Sequence, residues 1–293
     1  MKSRVARPLL TSLAAVLLLA YLGPVVSAQQ PTLEDILAKA AQYAAAFADP
    51  SRVLVCEESY EHTYYRRMVN SAGGSERLPL GGHQWVAEKI VLATPADEQS
   101  GLPWTEFRDI TTLDHKPVRD GASRLPKLLV EPKIANVTGA LAVTRESTGS
   151  QSGRFERMVA LPRLPFVFLH TVNQPRFTFT KGGGRAIKNV KTVEVKFQEK
   201  GSPTIIRSSS GKDAPSTGSF WIDPATGAIV SSYLKNGDSS ALYDELTTTY
   251  ALDPTTNLWL PVSLMEKGYD VEDEKEIDGK GTFKNWHFVA RAK

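Results

Sequence analysis

From Val53 onward this chain is dominated by runs in which apolar and polar residues alternate, joined mostly by short connections. That pairing of period and loop length constrains the fold more than any other feature. A period of two sends successive side chains to opposite faces of a strand. Short loops join antiparallel neighbours, because parallel strands need a crossover of roughly a dozen residues. The first run is "VLVCEESYEHTYYRRMV", followed by "HQWVAEKIVLAT" and "WTEFRDITTL". After Asn173 the rhythm resumes in "PRFTFT", "KTVEVKFQE", "PTIIRS", "SFWID", "AIVSSYL", "LYDELTTTYAL", "LWLPVSLMEKGY" and "GTFKNWHFVA". "SAGGSERLPLGG" and "KGGGR" read as loops, and "DVEDEKE" as a solvated hairpin loop. "LDHKPV" reads as a tight reversal with Asp114 and His115 at its centre.

Two stretches break the alternation. "PTLEDILAKAAQYAAAFADPS" has helical spacing: Thr32 is placed to cap it, and Leu33, Ile36, Leu37, Ala40, Ala44 and Phe47 form one stripe. Asp49-Pro50 ends it, and the alanine-rich face suits close packing on a sheet. Between about Arg124 and Thr171, "RLPKLLVE" and "IANVTGALAVTRES" have helical spacing, and "MVALPRLPFVFLHTV" is apolar and punctuated by proline. The class expected from these patterns is α+β.

The N-terminus has the order of a secretory leader: Lys2, Arg4 and Arg7, an apolar run from Leu9 to Leu22, then small residues ending at Ala28. The run is shorter than the roughly 20 residues of a spanning helix. Cleavage after Ala28 is expected, leaving residues 29–293 as one domain with a helical insertion at about 124–171, periplasmic or secreted and without a membrane span. The whole chain has 35 basic and 32 acidic residues. Loss of the leader removes three of the basic ones, so the remainder is formally neutral and offers no basic surface for nucleic acid. Cys56 is the only cysteine, which excludes an internal disulfide and a lipid-anchor cysteine at the cleavage site. In a Val-Leu-Val strand it reads as a small core residue.

"GSFWIDPATGAIVSS" poses the main question about chemistry, since Asp223 is either reactive or the hinge of a hairpin. Pro224 presets φ for a turn, the Asp223 carboxylate is placed to accept N–H groups just ahead, and Gly227 suits the left-handed conformation. "LDPTTNLWL" repeats the device at Asp253-Pro254-Thr255-Thr256-Asn257, with Asn in the glycine place. Two copies of one grammar indicate two hairpins, and Asp223 is a turn residue. The strand ending in "WIDPATG", with the hairpin of long strands after it, resembles the C-terminal sheet of the lipoprotein-localisation-factor family. The chain as a whole also resembles uncharacterised exported bacterial proteins, through "EESYEH", "FRDI", "NQPRF" and "FWIDPATGAIV". The resemblance implies a strongly curved, mostly antiparallel sheet, an open half-barrel wrapped over an N-terminal helix and a mid-chain helical segment. It also implies carriage of an apolar ligand.

The familiar catalytic motifs are missing. There is no HExxH, GxSxG or Walker loop, and the five histidines are scattered, so neither a metal nor a cofactor is expected. The strongest polar constellation lies in "CEESYEHTYYRR", where Cys56, Glu58, Tyr60, His62 and Tyr64 share one strand face. Arg108 is expected two strands away. Glu58, His62 and Arg108 form either an acid–base site of a hydrolase or cross-strand ion pairs on a half-exposed sheet. The leading expectation is a non-catalytic exported module that binds an apolar small molecule, a lipid or an envelope protein on the concave face, through Phe166, Phe168, Leu169 and Tyr60. A scaffold without a ligand cavity is the second expectation, and the hydrolase the third.

Overall fold

The computed structural model describes residues 30–46, 52–69, 73–93, 104–130, 137–152, 162–207, 212–237, 242–270 and 275–290. The leader, Asp49-Pro50 and most of the acidic loop at 270–276 lie outside them. Helix α1 (Leu33–Ala45) precedes β1 (Arg52–Val69), β2 (Ser75–Ala93), β3 (Trp104–Leu113) and the two-residue β4 (Lys116–Pro117). The insertion holds α2 (Leu125–Leu129), α3 (Val137–Ser152) and α4 (Phe166–Leu169). It is followed by β5 (Phe177–Ile187), β6 (Val190–Glu199), β7 (Ser216–Ile222), β8 (Ile229–Gly237), β9 (Leu242–Asp253), β10 (Leu258–Asp270) and β11 (Lys275–Ala290).

These strands form one curved, open sheet in the order β4-β3-β2-β1-β11-β10-β9-β8-β7-β6-β5, antiparallel throughout. It is two meanders, β1 to β4 and β5 to β11, joined where the first strand pairs with the last. The connection from β4 to β5 must therefore travel from one end of the sheet to the other.

That connection serves both faces. On the outer face α2 and α3 place Leu125, Leu129, Ala140 and Val143 against Val53, Val55, Ile90, Leu92 and Phe107. On the inner face α1 and α4 place Ile36, Ala40, Ala44 and Phe166 to Leu169 against Leu54, Val195, Phe197, Phe220, Leu234, Tyr250 and Leu260. Helix α3 also covers the open edge of β3. The backbone N–H groups of Arg108 and Ile110 donate to Thr144 Oγ1 (3.0 Å) and Ser147 Oγ (3.2 Å), so hydroxyls stand where another strand would pair.

The hairpins follow the turn residues. Asp114 and His115 both have positive φ (45° and 65°), as a two-residue hairpin turn requires. Asp223 Oδ1 accepts from the N–H of Ala225 (2.9 Å), and Oδ2 from the Thr226 hydroxyl (2.7 Å). Asp253 Oδ2 accepts from Thr256 N–H (2.8 Å) and its hydroxyl (2.9 Å). Gly227 and Asn257 hold the equivalent left-handed places at φ 78° and 57°.

Three local readings are corrected. "KGGGR" is not a loop but part of β5, its glycines absorbed in a register shift between Lys181 and Gly184. Strand β2 begins at Ser75, so all of "SERLPLGG" is strand, with a register shift opposite Tyr64 and Tyr65. "PTIIRS" forms no strand among its described residues, only a bridge from Arg207 to Asp213. Carboxylates take its backbone donors: Thr204 N–H bonds Asp213 Oδ1 (2.9 Å) and Ile205 N–H bonds Glu199 Oε1 (2.7 Å).

The two related turns differ in what lies above them. A Cβ on Gly227 would collide with the Lys39 carbonyl of α1, whereas Asn257 already carries a side chain. Gly227→Ala is therefore expected to destabilise the fold by more than about 1 kcal/mol, the cost of the left-handed conformation alone. Asn257→Gly should stay within about 0.5 kcal/mol. Urea melts of both variants test this, and an unchanged midpoint for Gly227→Ala would separate that turn from α1.

Candidate functional site

The inner face has a filled part and an open part. Over the middle and later strands, α4 fills it: Phe166, Val167, Phe168 and Leu169 are all 0% exposed. The Phe166 ring meets Tyr43 of α1 (6.5 Å) and Tyr250 of β9 (5.2 Å), while Phe168 lies against Phe177 (4.7 Å) and Phe197 (5.4 Å). The flanking chain is tied down by polar bonds. The Tyr250 hydroxyl donates to the Pro162 carbonyl (2.6 Å), Asn173 Nδ2 to the Val167 carbonyl (3.0 Å) and Gln174 Nε2 to the Leu169 carbonyl (2.8 Å). Phe166, Phe168 and Leu169 thus sit in the core as a plug.

Toward β1, β2 and β3 the same face carries buried charge. Glu58 and Arg108 meet across β2 in a bidentate pair, Nε to Oε2 at 2.5 Å and Nη2 to Oε1 at 2.9 Å. Lys89 lies between them in sequence register, 3.5 Å from Glu58 and 3.1 Å from Glu106. Arg163, carried in by the insertion, closes on Glu106 at 2.9 Å. All five side chains are at most 5% exposed. Burial on its own would raise the Glu58 carboxyl, but Arg108 and Lys89 outweigh it and hold the group ionised. Glu106 is likewise opposed by burial, yet Lys89 and Arg163 bring it down to about 2. Cys56, also buried, is pushed far up by desolvation and stays a thiol. A carboxylate with both oxygens on a guanidinium and no solvent contact has no proton to donate at neutral pH. The Glu58–Arg108 part of the constellation is an ion pair that anchors strands.

His62 lies two positions beyond Tyr60 on the same face, among aromatic rings rather than on Glu58. Its ring is 4.7 Å from Tyr64, 5.5 Å from Trp85 and 5.9 Å from His83. Tyr60 stacks on Trp85 (4.6 Å), covers Gly279 and Gly281 of β11, and donates its hydroxyl to Glu266 of β10. A larger residue at Gly279 would displace it. Tyr60 is 3% exposed and marks where the closed core ends.

Beyond Tyr64, β1 and β2 continue as a ribbon, flanked by β11 as far as Arg66. Met68 and Leu78 fall on the inner face by register, and Leu80 occupies the shift beside Gly81. They are 51%, 47% and 42% exposed, large apolar side chains in solvent. The outer side of the ribbon is polar and satisfied: Arg67 bonds Glu276 (2.7 Å), Arg77 bonds Asp278 (2.9 Å), and Arg77 lies over the Tyr65 ring.

Two shallow spaces adjoin the root of the ribbon. One of about 390 Å³ is bordered by Glu61, His62, His83, Gln84, Asp114 and His115. The other, about 300 Å³, includes Ser59, Val86, Thr112, Lys280 and Thr282. His83 Nδ1 pairs with Asp114 Oδ2 at 2.8 Å, a bond that lowers the Asp114 carboxyl. Among the described residues no group of three or more His, Cys, Asp or Glu is arranged to hold a metal ion.

Sequence reasoning found Glu58 and Arg108 but passed over Lys89, Glu106 and Arg163. The signal for Lys89 was its phase, since in "WVAEK" it shares the inward side with Trp85 and Ala87. Leu78 and Leu80 were missed because the glycines and proline around them read as loop.

Removing one partner from this buried network should cost about 3–5 kcal/mol, so Glu58→Gln is expected to lower the melting temperature sharply. The depressed folded-state carboxyls contribute stability above the unfolded value of about 4.3, and it is lost as pH falls toward about 2. Thermal melts from pH 7 to 2 should therefore fall steeply below about pH 4.3. Glu106→Gln should flatten that fall, and an equally steep profile in the variant would exclude Glu106 as its source.

No family model and no curated protein matches this sequence. Solved structures similar to it include a putative outer membrane lipoprotein-sorting protein domain from Vibrio parahaemolyticus, 11% identical, covering 87% of this chain and 93% of that one, TM-score 0.41. A DUF1329 family protein from Desulfovibrio piger is 10% identical over 88% and 95% of the two chains, TM-score 0.32. A LolA superfamily protein from Nitrosomonas europaea is 9% identical over 90% and 95%, TM-score 0.30. The open antiparallel sheet itself establishes the architecture, and likeness at these values says nothing of activity.

Proposed function

We propose that this chain is a non-catalytic module of the cell envelope that binds an apolar ligand, such as a lipid acyl chain, at the open end of its inner face. The observation that carries the reading is the contrast along that face. Where α4 packs, four large side chains are 0% exposed, whereas on the β1–β2 ribbon Met68, Leu78 and Leu80 stand in solvent. Exposed apolar side chains beside an aromatic wall of Tyr60, His62 and Tyr64, interspersed with Arg66 and Glu76 of the same face, form a surface that gains from being covered. Export rests on the leader sequence, and no helix among the described residues is long and apolar enough to cross a membrane.

A scaffold without a ligand is the second reading, favoured by the complete burial of Phe166 to Leu169. The two separate by experiment. Leu78→Lys combined with Leu80→Lys is expected to weaken binding of an apolar fluorescent probe by about tenfold or more, roughly 1.4 kcal/mol, with the melting temperature unchanged. Phe166→Ala and Phe168→Ala should instead cost about 3–5 kcal/mol each, as core truncations do. Wild-type protein that takes up no probe would leave the scaffold.

A further inference from the structure

We propose that the outer face of the sheet carries a binding site for a neutral sugar, in the cleft beside the β3–β4 turn. Alternation along β1 sends Ser59 and Glu61 to the side opposite Tyr60 and His62. Along β11 it does the same for Lys280 and Thr282, on either side of Gly281. The register then sets two neighbouring rows across the sheet. Thr282, Ser59, Val86 and Thr112 stand side by side in one, and Lys280, Glu61 and Gln84 in the next. Helices α2 and α3 pack on this face over Val53, Val55, Ile90, Leu92 and Phe107. The two rows lie further along the strands and line a cleft of about 300 Å³. The turn gives it a fixed wall. Asp114 N–H donates to the Gln84 carbonyl (2.8 Å), Asp114 Oδ1 accepts from the Gln84 N–H (3.0 Å), and Gln84 Nε2 meets the His115 ring at 2.7 Å.

What the cleft presents decides the class of ligand. Glu61 and Lys280 face each other in register and are both exposed, yet among the described residues no ion pair closes between them. The related pair on the same two strands, Glu57 with Lys284, closes at 2.7 Å. An anion drawn to Lys280 meets Glu61, and a cation drawn to Glu61 meets Lys280. A neutral ligand with adjacent hydroxyls satisfies both, since it donates to the carboxylate and accepts from the ammonium. The hydroxyls of Ser59, Thr112 and Thr282 both donate and accept, as sugar hydroxyls do. Val86 is the one apolar side chain in the two rows, and it suits the C–H groups of a ring. The volume lies at the lower end for small-molecule sites and suits a single ring. A second space of about 390 Å³ shares Glu61, Gln84 and His115 with the first and continues to His83 and Asp114. A second ring therefore has a place, and a disaccharide unit is the better match.

Saturation-transfer NMR with glucose, N-acetylglucosamine, cellobiose and diacetylchitobiose tests the site. Saturable binding of at least one pair is expected, tighter for the disaccharide than for its own monosaccharide. Glu61→Gln combined with Lys280→Gln should weaken it about tenfold or more, as loss of hydrogen bonds to charged groups does. Thr247→Ala, exposed on the same face but outside the cleft, should leave it unchanged. Melting temperatures should be equal for all three proteins, because the altered side chains are exposed. No saturable binding of any of the four sugars, or undiminished binding by the double variant, would overturn the proposal. Displacement of the sugar by free glycine, a zwitterion, would overturn the assignment of a neutral ligand. A monosaccharide that binds as tightly as its disaccharide would remove the second ring. None of these outcomes depends on the apolar-ligand reading, which concerns the other face and is tested by probe binding.

Discussion

The pairing of β1 with β11 is the constraint on which the rest of this structure depends. It brings residues near the start of the described chain against its last strand, from Arg52 opposite Ala290 to Arg66 opposite Lys275. Without it there would be two meanders, each with a free edge and an uncovered apolar face. With it there is one sheet, and the insertion between β4 and β5 is obliged to run from end to end. That obligation explains why one connection supplies the outer cover, the inner plug and the cap on β3. Closing contacts so distant in sequence is costly in chain entropy, and the large inner core offsets it.

The buried charges belong to the same logic. Glu58, Lys89 and Arg108 sit on three adjacent strands, Glu106 on the third, and Arg163 on the insertion, so the network ties the crossing segment to the sheet. Apolar side chains of similar volume would serve stability as well or better, since desolvation of ions is expensive. What directional pairs add is a partner on the sheet for Arg163 of the insertion, which meets Glu106 of β3. The same groups fix the chemistry, because carboxylates held ionised and enclosed by cations do not shuttle protons.

Local features were legible wherever a short stretch carries its own physics. The stripe of Ile36, Ala40 and Ala44, the Asp-Pro turns at Asp223 and Asp253, and the reversal at Asp114-His115 are all decided within a few residues. Glu58 and Arg108 were legible as partners because alternation and short loops place them two strands apart on one face. "PTIIRS" misled because its β-branched residues suit a strand, while its donors are captured by Glu199 and Asp213 from other parts of the chain. "SERLPLGG" and "KGGGR" misled in the opposite sense, since pairing with β1 and β6 overrides the flexibility of glycine.

By itself, then, the sequence determined an α+β chain with a helix before a run of antiparallel hairpins and an apolar proline-flanked insertion needing burial. Period, turn chemistry and loop length act over a few residues, and they suffice for that much. Only the tertiary structure decided that β1 closes on β11, that Phe166 to Leu169 plug the inner face, and that Met68, Leu78 and Leu80 are left in solvent. Burial is a property of what packs opposite a side chain, and for Phe166 to Leu169 the opposing groups lie on other elements of the chain.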